Sequence, residues 1–220
     1  ASAKAVEAAS ALIKQAKLPV ILAGNGAVRQ NSSKMLTEFV NALHIPVVNT
    51  MMAKGIVSMD NPYSLWTLGI PQKDYVNKIF EEADLGYDMV ECAPSKWNVR
   101  LDTKIIHIAS EPADVNKRYQ PDVELVGDIS NSLRKILNIT TREEEPEFAL
   151  QLKARMLREQ EEMAADDSYP MKPARILSDV RKIMGKEDIV LSDVGAHKMW
   201  IARHYHCYEP NTCLISNGFA

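Results

Sequence analysis

Val190-Leu191-Ser192-Asp193-Val194-Gly195-Ala196-His197-Lys198-Met199-Trp200 is the stretch on which the reading of this chain turns. Asp188-Ile189-Val190-Leu191 reads as a buried strand, a short apolar run of the length such strands have. Gly195 interrupts it at the C-terminal end, and helical sequence resumes at about Lys198. Strand, glycine-containing turn and helix make half of a βαβ unit. Backbone N–H groups at such a helix start can hold a phosphate oxygen. Gly195-Ala196-His197 is therefore the best candidate site, although by spacing alone a plain βα turn accounts for these residues better.

The same alternation runs upstream. Residues 3–16 carry apolar positions at helical spacing (Ala5-Val6, Ala9, Ala11-Leu12-Ile13, Ala16). Pro19-Val20-Ile21-Leu22-Ala23 reads as a buried strand that ends in the turn Gly24-Asn25-Gly26. Asn31-Ser32-Ser33 offers N-caps for a helix to about His44, with Met35-Leu36, Phe39-Val40 and Leu43 on one face. Pro46-Val47-Val48-Asn49 is a second strand, a loop-rich segment extends to about Pro71, and residues 73–82 read as helix. Lys104-Ile105-Ile106-His107-Ile108 and Val123-Glu124-Leu125-Val126 are further strands, followed by a helix over 129–137. After a polar stretch from Asn138, residues 148–165 form a helix whose charges read as a solvated surface; a helix over 173–184 precedes the strand at Ile189. The fold class is α/β: a mostly parallel sheet with helices on both faces, then a linker and an incomplete second α/β unit. The expected divisions are 1–140, 141–170 and 171–220. A parallel sheet also calls for a buried strand after Ile79-Phe80-Glu81-Glu82-Ala83-Asp84-Leu85, yet Gly86-Tyr87-Asp88 follows at once, as if apolar residues were missing between Leu85 and Gly86.

Composition removes several classes of function. The 220 residues are 46% hydrophobic and 25% charged, with a formal net charge of -3, ordinary for a globular protein. No basic stripe points to nucleic acid. No apolar run approaches the ~20 residues that span a bilayer, and residues 1–17 lack the pattern of a signal peptide. Cys92, Cys207 and Cys213 are an odd number without metal-ligand spacing, which fits a reducing cytoplasm.

Other motifs have plain alternatives. Gly24-Asn25-Gly26-Ala27-Val28-Arg29 begins like a dinucleotide fingerprint, but Arg29 stands at the third glycine position. Asn49-Thr50 stand where an acidic ribose partner is expected, so a tight turn needing positive φ is the better reading. His44, His107, His204 and His206 lack a ligand-like arrangement, and no metal site is read. Tyr205, Tyr208, Trp66, Trp97 and Trp200 default to packing, and Met51-Met52 to core.

Taken in order, the chain resembles acetolactate synthases, in particular the catabolic, flavin-independent type. The residues that carry this are Asn49-Thr50-Met51-Met52-Ala53-Lys54-Gly55, Gly69-Ile70-Pro71-Gln72-Lys73-Asp74-Tyr75 and Gly86-Tyr87-Asp88-Met89-Val90-Glu91. Tyr119-Gln120-Pro121-Asp122-Val123-Glu124-Leu125-Val126-Gly127-Asp128-Ile129 and the Gly195-to-Trp200 stretch complete it. The resemblance implies a central domain, a linker and the first part of a diphosphate-binding domain. The pyrimidine-binding domain and the motif that places Mg²⁺ are absent from this sequence. Thiamine diphosphate and Mg²⁺ are the implied cofactors, pyruvate the substrate and a homodimer or homotetramer the assembly; no catalytic residue is assigned within the chain. Gly195, Ala196 and His197 would touch the cofactor's diphosphate, and Asn217 and Gly218 would approach its pyrimidine side. In flavin-binding relatives the central domain holds FAD; the matching positions are Gly24, Asn25, Gly26, Thr50, Met51, Met52, Gly69, Gly86, Asp88, Gly127 and Asp128. Those relatives carry arginine at the position of Asp88, where a carboxylate repels phosphate, so FAD is not expected. Two other readings stay open: a central module binding FAD or an adenine nucleotide, as in related 2-keto acid or CoA-ester decarboxylases, and a structural domain serving oligomer contacts.

Overall fold

The computed structural model of the chain describes residues 1–68, 78–82, 98 and 101–216. The suspected break between Leu85 and Gly86 lies outside these residues.

The Ser2 hydroxyl accepts the Ala5 N–H at 3.2 Å and starts helix α1 (Ala3–Gln15), which buries Val6, Ala9 and Ile13. Strand β1 (Ile21–Ala23) follows, then a five-residue helix α2 (Asn25–Arg29) and α3 (Ser33–Leu43). The buried face of α3 is Met35, Leu36, Phe39, Val40 and Leu43, as the spacing predicts. Ser32 occupies the N-cap position without a side-chain cap hydrogen bond, while the Ser33 hydroxyl donates to the Ile56 carbonyl at 2.7 Å. Strand β2 (Val47–Asn49) leads into a 3₁₀ turn over Met51–Ala53 and then β3 (Ser64–Thr67). Helix α4 (Lys78–Glu82), strands β4 (Ile106–Ala109) and β5 (Val123–Val126), and helix α5 (Ile129–Leu137) complete the first unit. Helix α6 (Glu147–Ala164) joins it to α7 (Pro173–Ile183), β6 (Val190–Ser192), α8 (Ala196–His204) and β7 (Cys213–Ile215).

Every strand pair among the described residues is parallel: β1-β2-β3, β4-β5 and β6-β7. Because successive strand residues point to opposite faces, neighbours feed different cores. Leu22, Val48 and Ile105 belong to a cluster with Trp66, Phe80, Met156, Tyr205 and Cys213. Ala23, Val47 and Ile106 belong to one with Val6, Phe39, Leu125 and Leu133. Helices thus cover both faces, and the α/β class holds.

Five expectations are corrected. The segment from Thr50 to Leu68 contains strand β3, hidden because all four of its residues are buried and no alternation survives. Gly24 has φ -103° and caps α2, so this turn requires no positive φ. The charges of α6 are not all solvated: Lys153 is buried with Ala149, Leu152 and Met156. Strand β6 is not wholly buried, since its one hydrogen-bonded neighbour among the described residues is β7 and Leu191 is 75% exposed. Trp200, read as packing, is also 43% exposed.

Candidate functional site

Three of the sequence-selected turns converge at the C-terminal ends of parallel strands, where open α/β sheets place their ligands. Gly24, Asn25 and Gly26 follow β1, Thr50 and Met51 follow β2, and Gly127 and Asp128 follow β5. The Thr50 N–H donates to the Ala23 carbonyl at 3.0 Å, joining the first two. The Ile129 N–H donates to Gln30 Oε1 at 2.9 Å, joining the first and third. Several of these residues already have structural roles. Asp128 Oδ1 accepts the Asn131 N–H at 2.6 Å and caps α5. Met51 is buried in the core and Thr50 is 3% exposed. Gly127 holds φ +138°, a region that favours glycine. Gly26 lies within α2, with no atom of the described residues within 4 Å of an added Cβ. Gly26→Ala is accordingly expected to stabilise the chain by about 0.5–1 kcal/mol, read as a higher urea midpoint at unchanged slope. Gly69, Gly86 and Asp88 lie outside the described residues.

At the other end of the chain, Gly195 (φ +153°) turns the backbone from β6 into α8. A Cβ there would stand 2.7 Å from the His197 imidazole, so only glycine lets that ring lie over the turn. Gly195, Ala196 and His197 are all exposed at the start of the helix, and the Lys198 N–H donates to the Gly195 carbonyl at 3.2 Å. This arrangement fits one wall of a diphosphate site. The Asp193 carboxylate beside it is engaged by the Val194 N–H at 2.7 Å. Asn217 and Gly218 lie outside the described residues.

At the opposite end of α8 is a buried polar cluster that sequence reading missed. Lys54 is 2% exposed; its Nζ donates to the Ala202 carbonyl at 2.8 Å and lies 3.4 Å from Met59 Sδ. Lys153 Nζ donates to the carbonyls of Met59 at 2.6 Å and Ser64 at 2.7 Å, 4.9 Å from the centroid of the Trp66 ring. His206 meets the same indole edge-on at 4.7 Å. Burial lowers the Lys54 pKa, pulls Lys153 down to about 7, and, with help from the neighbouring cations, pulls His206 down to about 4. The neighbouring Cys213 thiol lowers the Cys207 pKa, with Lys54 assisting, while Cys213 itself is pushed up. Both cysteines are buried and unpaired by disulfides. One signal for Lys153 was available: it falls on the apolar face of α6, at the fourth position after Ala149.

His107 is buried and satisfied, with Nδ1 3.1 Å from the Tyr119 hydroxyl and Nε2 2.9 Å from the Glu111 carbonyl. Among the described residues no group of His, Cys, Asp or Glu could hold a metal ion, and no helix is long and apolar enough to cross a membrane.

Comparison with known proteins gives this architecture a family. Residues 6–136 match the model of the thiamine pyrophosphate enzyme central domain. The chain is 34% identical to an acetolactate synthase of Bacillus subtilis (strain 168), covering 97% of this chain and 39% of the relative. It is 30% identical to a probable acetolactate synthase large subunit of Methanocaldococcus jannaschii, with 97% and 38% covered. A putative thiamine pyrophosphate-containing protein of Bacillus subtilis, YdaP, is 28% identical, with 94% and 36% covered. The chain belongs to the thiamine-pyrophosphate-dependent enzyme family, as an acetolactate-synthase-type member. It spans about two fifths of the length of these curated relatives.

Proposed function

We propose that this chain is part of an acetolactate synthase, condensing two molecules of pyruvate to 2-acetolactate with release of CO₂. The observation that carries this is the likeness to acetolactate synthases along nearly the whole chain, through the unit that follows the central domain as well as the domain itself. Thiamine diphosphate, when bound, supplies the nucleophilic carbon and the electron sink that decarboxylation of a 2-keto acid requires. This chain's own contribution is orientation. The backbone N–H groups at Gly195, Ala196 and His197 would hold diphosphate oxygens at the positive end of the α8 dipole, with Mg²⁺ supplied from elsewhere in the enzyme. Asn217 and Gly218 would approach the pyrimidine side. The proposal includes a flavin-free central domain, supported by the carboxylate of Asp88 at a position where flavin-binding relatives have arginine, and a homo-oligomeric enzyme of the cytoplasm.

The 220-residue chain alone is expected to form no acetolactate from pyruvate with thiamine diphosphate and Mg²⁺, because it brings one wall of the cofactor site. A polypeptide that joins it to the pyrimidine-binding domain and the rest of the diphosphate-binding domain is expected to form it. Acetolactate from the chain alone would overturn the inactivity. A longer polypeptide that binds the cofactor but leaves pyruvate unconsumed would overturn the substrate.

A further inference from the structure

We propose that Lys54 is a positioning residue: from the first unit it grips the C-terminal end of α8 and so aims the Gly195–His197 turn at the other end of that helix. The significance for the cofactor rests on the function proposed above; the grip itself does not.

Lys54 stands just after the 3₁₀ turn that follows β2, and its ammonium reaches a carbonyl 148 residues further along the chain. The carbonyl of Ala202 is one of the last four of α8, which helix geometry leaves without an intrahelical donor. A buried ammonium there satisfies the orphan acceptor and lies at the negative end of the helix dipole. An apolar side chain of the same length would fill the space at a lower desolvation cost, but would leave the acceptor unmet. What distinguishes lysine at this position is therefore the carbonyl it meets.

The surrounding contacts point the same way. Met59 Sδ, beside Lys54 Nζ, accepts the Cys207 N–H at 3.1 Å, and the Met59 N–H donates to the Cys207 carbonyl at 2.9 Å. Gly55 lies directly beneath the Glu209 carbonyl. Residues 54–59 thus close on residues 202–209, and the polar contacts between the two converge on the C-terminal end of α8 and the segment after it. The N-terminal end of the same helix is exposed. A nine-residue helix is about 13 Å long, so loosening one end swings the other. Displacements near 1 Å at a reacting centre cost about 10²-fold in rate.

Hydrogen exchange on the 220-residue chain tests this. In Lys54→Met, amides over residues 199–209 are expected to exchange about tenfold faster, with those of α1 and α3 changed by less than about twofold. Met59→Leu keeps the packing and removes the sulfur acceptor; it is expected to give about a threefold rise over the same residues, and it decides the matter if Lys54→Met fails to fold. Unchanged exchange at 199–209, or an equal rise in α1 and α3, overturns the grip. Thiamine diphosphate with Mg²⁺ forms the second arm, run on the longer polypeptide that joins this chain to the remaining walls of the cofactor site. The cofactor is expected to slow exchange over residues 195–199 in the unsubstituted chain and not in Lys54→Met. Equal slowing in both overturns the aiming role. No slowing in the unsubstituted chain overturns the cofactor reading of α8, while the ligand-free comparison still decides the grip.

Discussion

Gly55→Ala is expected to lower the free energy of unfolding by about 2–5 kcal/mol. Two independent penalties combine. Gly55 holds φ +84°, where a side chain costs about 1–2 kcal/mol. The new Cβ would also stand 2.4 Å from the backbone oxygen of Glu209 and 3.1 Å from Cys207 Cβ. Neither neighbour yields cheaply: the Glu209 carbonyl accepts the Thr212 hydroxyl at 2.8 Å, and Cys207 is tied through its N–H and C=O to Met59. Overpacking of that kind typically costs about 1–3 kcal/mol. Against a total stability of about 5–15 kcal/mol the loss is large enough to read directly from urea unfolding. Gly127→Ala separates the two terms. It carries the backbone penalty alone, since the nearest atom to its Cβ is the Ala1 nitrogen at 3.8 Å, and should cost about 1–2 kcal/mol. A Gly55→Ala loss no larger than that of Gly127→Ala would refute the close approach of Glu209.

Whether sequence revealed an element depended on whether one of its faces met water. Helix α3 was legible to the residue because its buried positions recur at helical spacing against a polar face. Strand β3 was not, because Ser64, Leu65, Trp66 and Thr67 are all buried and leave no period to detect. The candidate site divides in the same way. Gly195 could be found because a glycine between an apolar run and a helix is a local signal. The grip at the opposite end of α8 could not. Lys54 and Ala202 meet across 148 residues, and no local pattern distinguishes a lysine that reaches a helix end from one that reaches solvent. Arg142 shows the same blindness within a stretch read as a polar linker: it is 6% exposed, and its guanidinium donates to the carbonyls of Lys17 and Glu144. Sequence classed these cations by type, whereas burial and backbone acceptors decide what they do.

The buried cations around Trp66 set the second large effect, a stability that climbs with pH across two separate windows. His206 drops from 6.5 in the unfolded chain to about 4 in the fold, because burial disfavours the imidazolium and Lys54, Lys153, Arg181 and His204 repel it. Its buried Nε2 has no hydrogen-bond partner among the described residues to hold a proton. Between these values the unfolded chain binds a proton that the folded chain refuses, so the contribution is complete above pH 6.5 and is lost as pH falls toward 4. At 1.36 kcal/mol per unit, and allowing for partial exposure, the loss is about 2–3 kcal/mol. Lys153 drops from 10.5 to about 7, chiefly by desolvation, with Asp60 opposing. The same sign holds: across pH 7 to 10.5 the unfolded lysine keeps a proton that the folded one releases, so stability rises through that window. The two carbonyls and the Trp66 ring that face Lys153 favour its charged form. They hold the expected gain to about 2 kcal/mol, below the full value of the shift. Carboxylates also titrate in acid, so the decisive measurement is the difference between unsubstituted chain and variant. His206→Phe preserves an edge-on ring against Trp66 and should remove most of the fall between pH 6.5 and 4.5 in urea midpoints. Lys153→Met should flatten the rise between pH 7 and 10 while lowering stability at neutral pH, because the carbonyls of Met59 and Ser64 lose their donor. Parallel curves for the variants and the unsubstituted chain would show that these two groups titrate in the fold as they do in the unfolded chain.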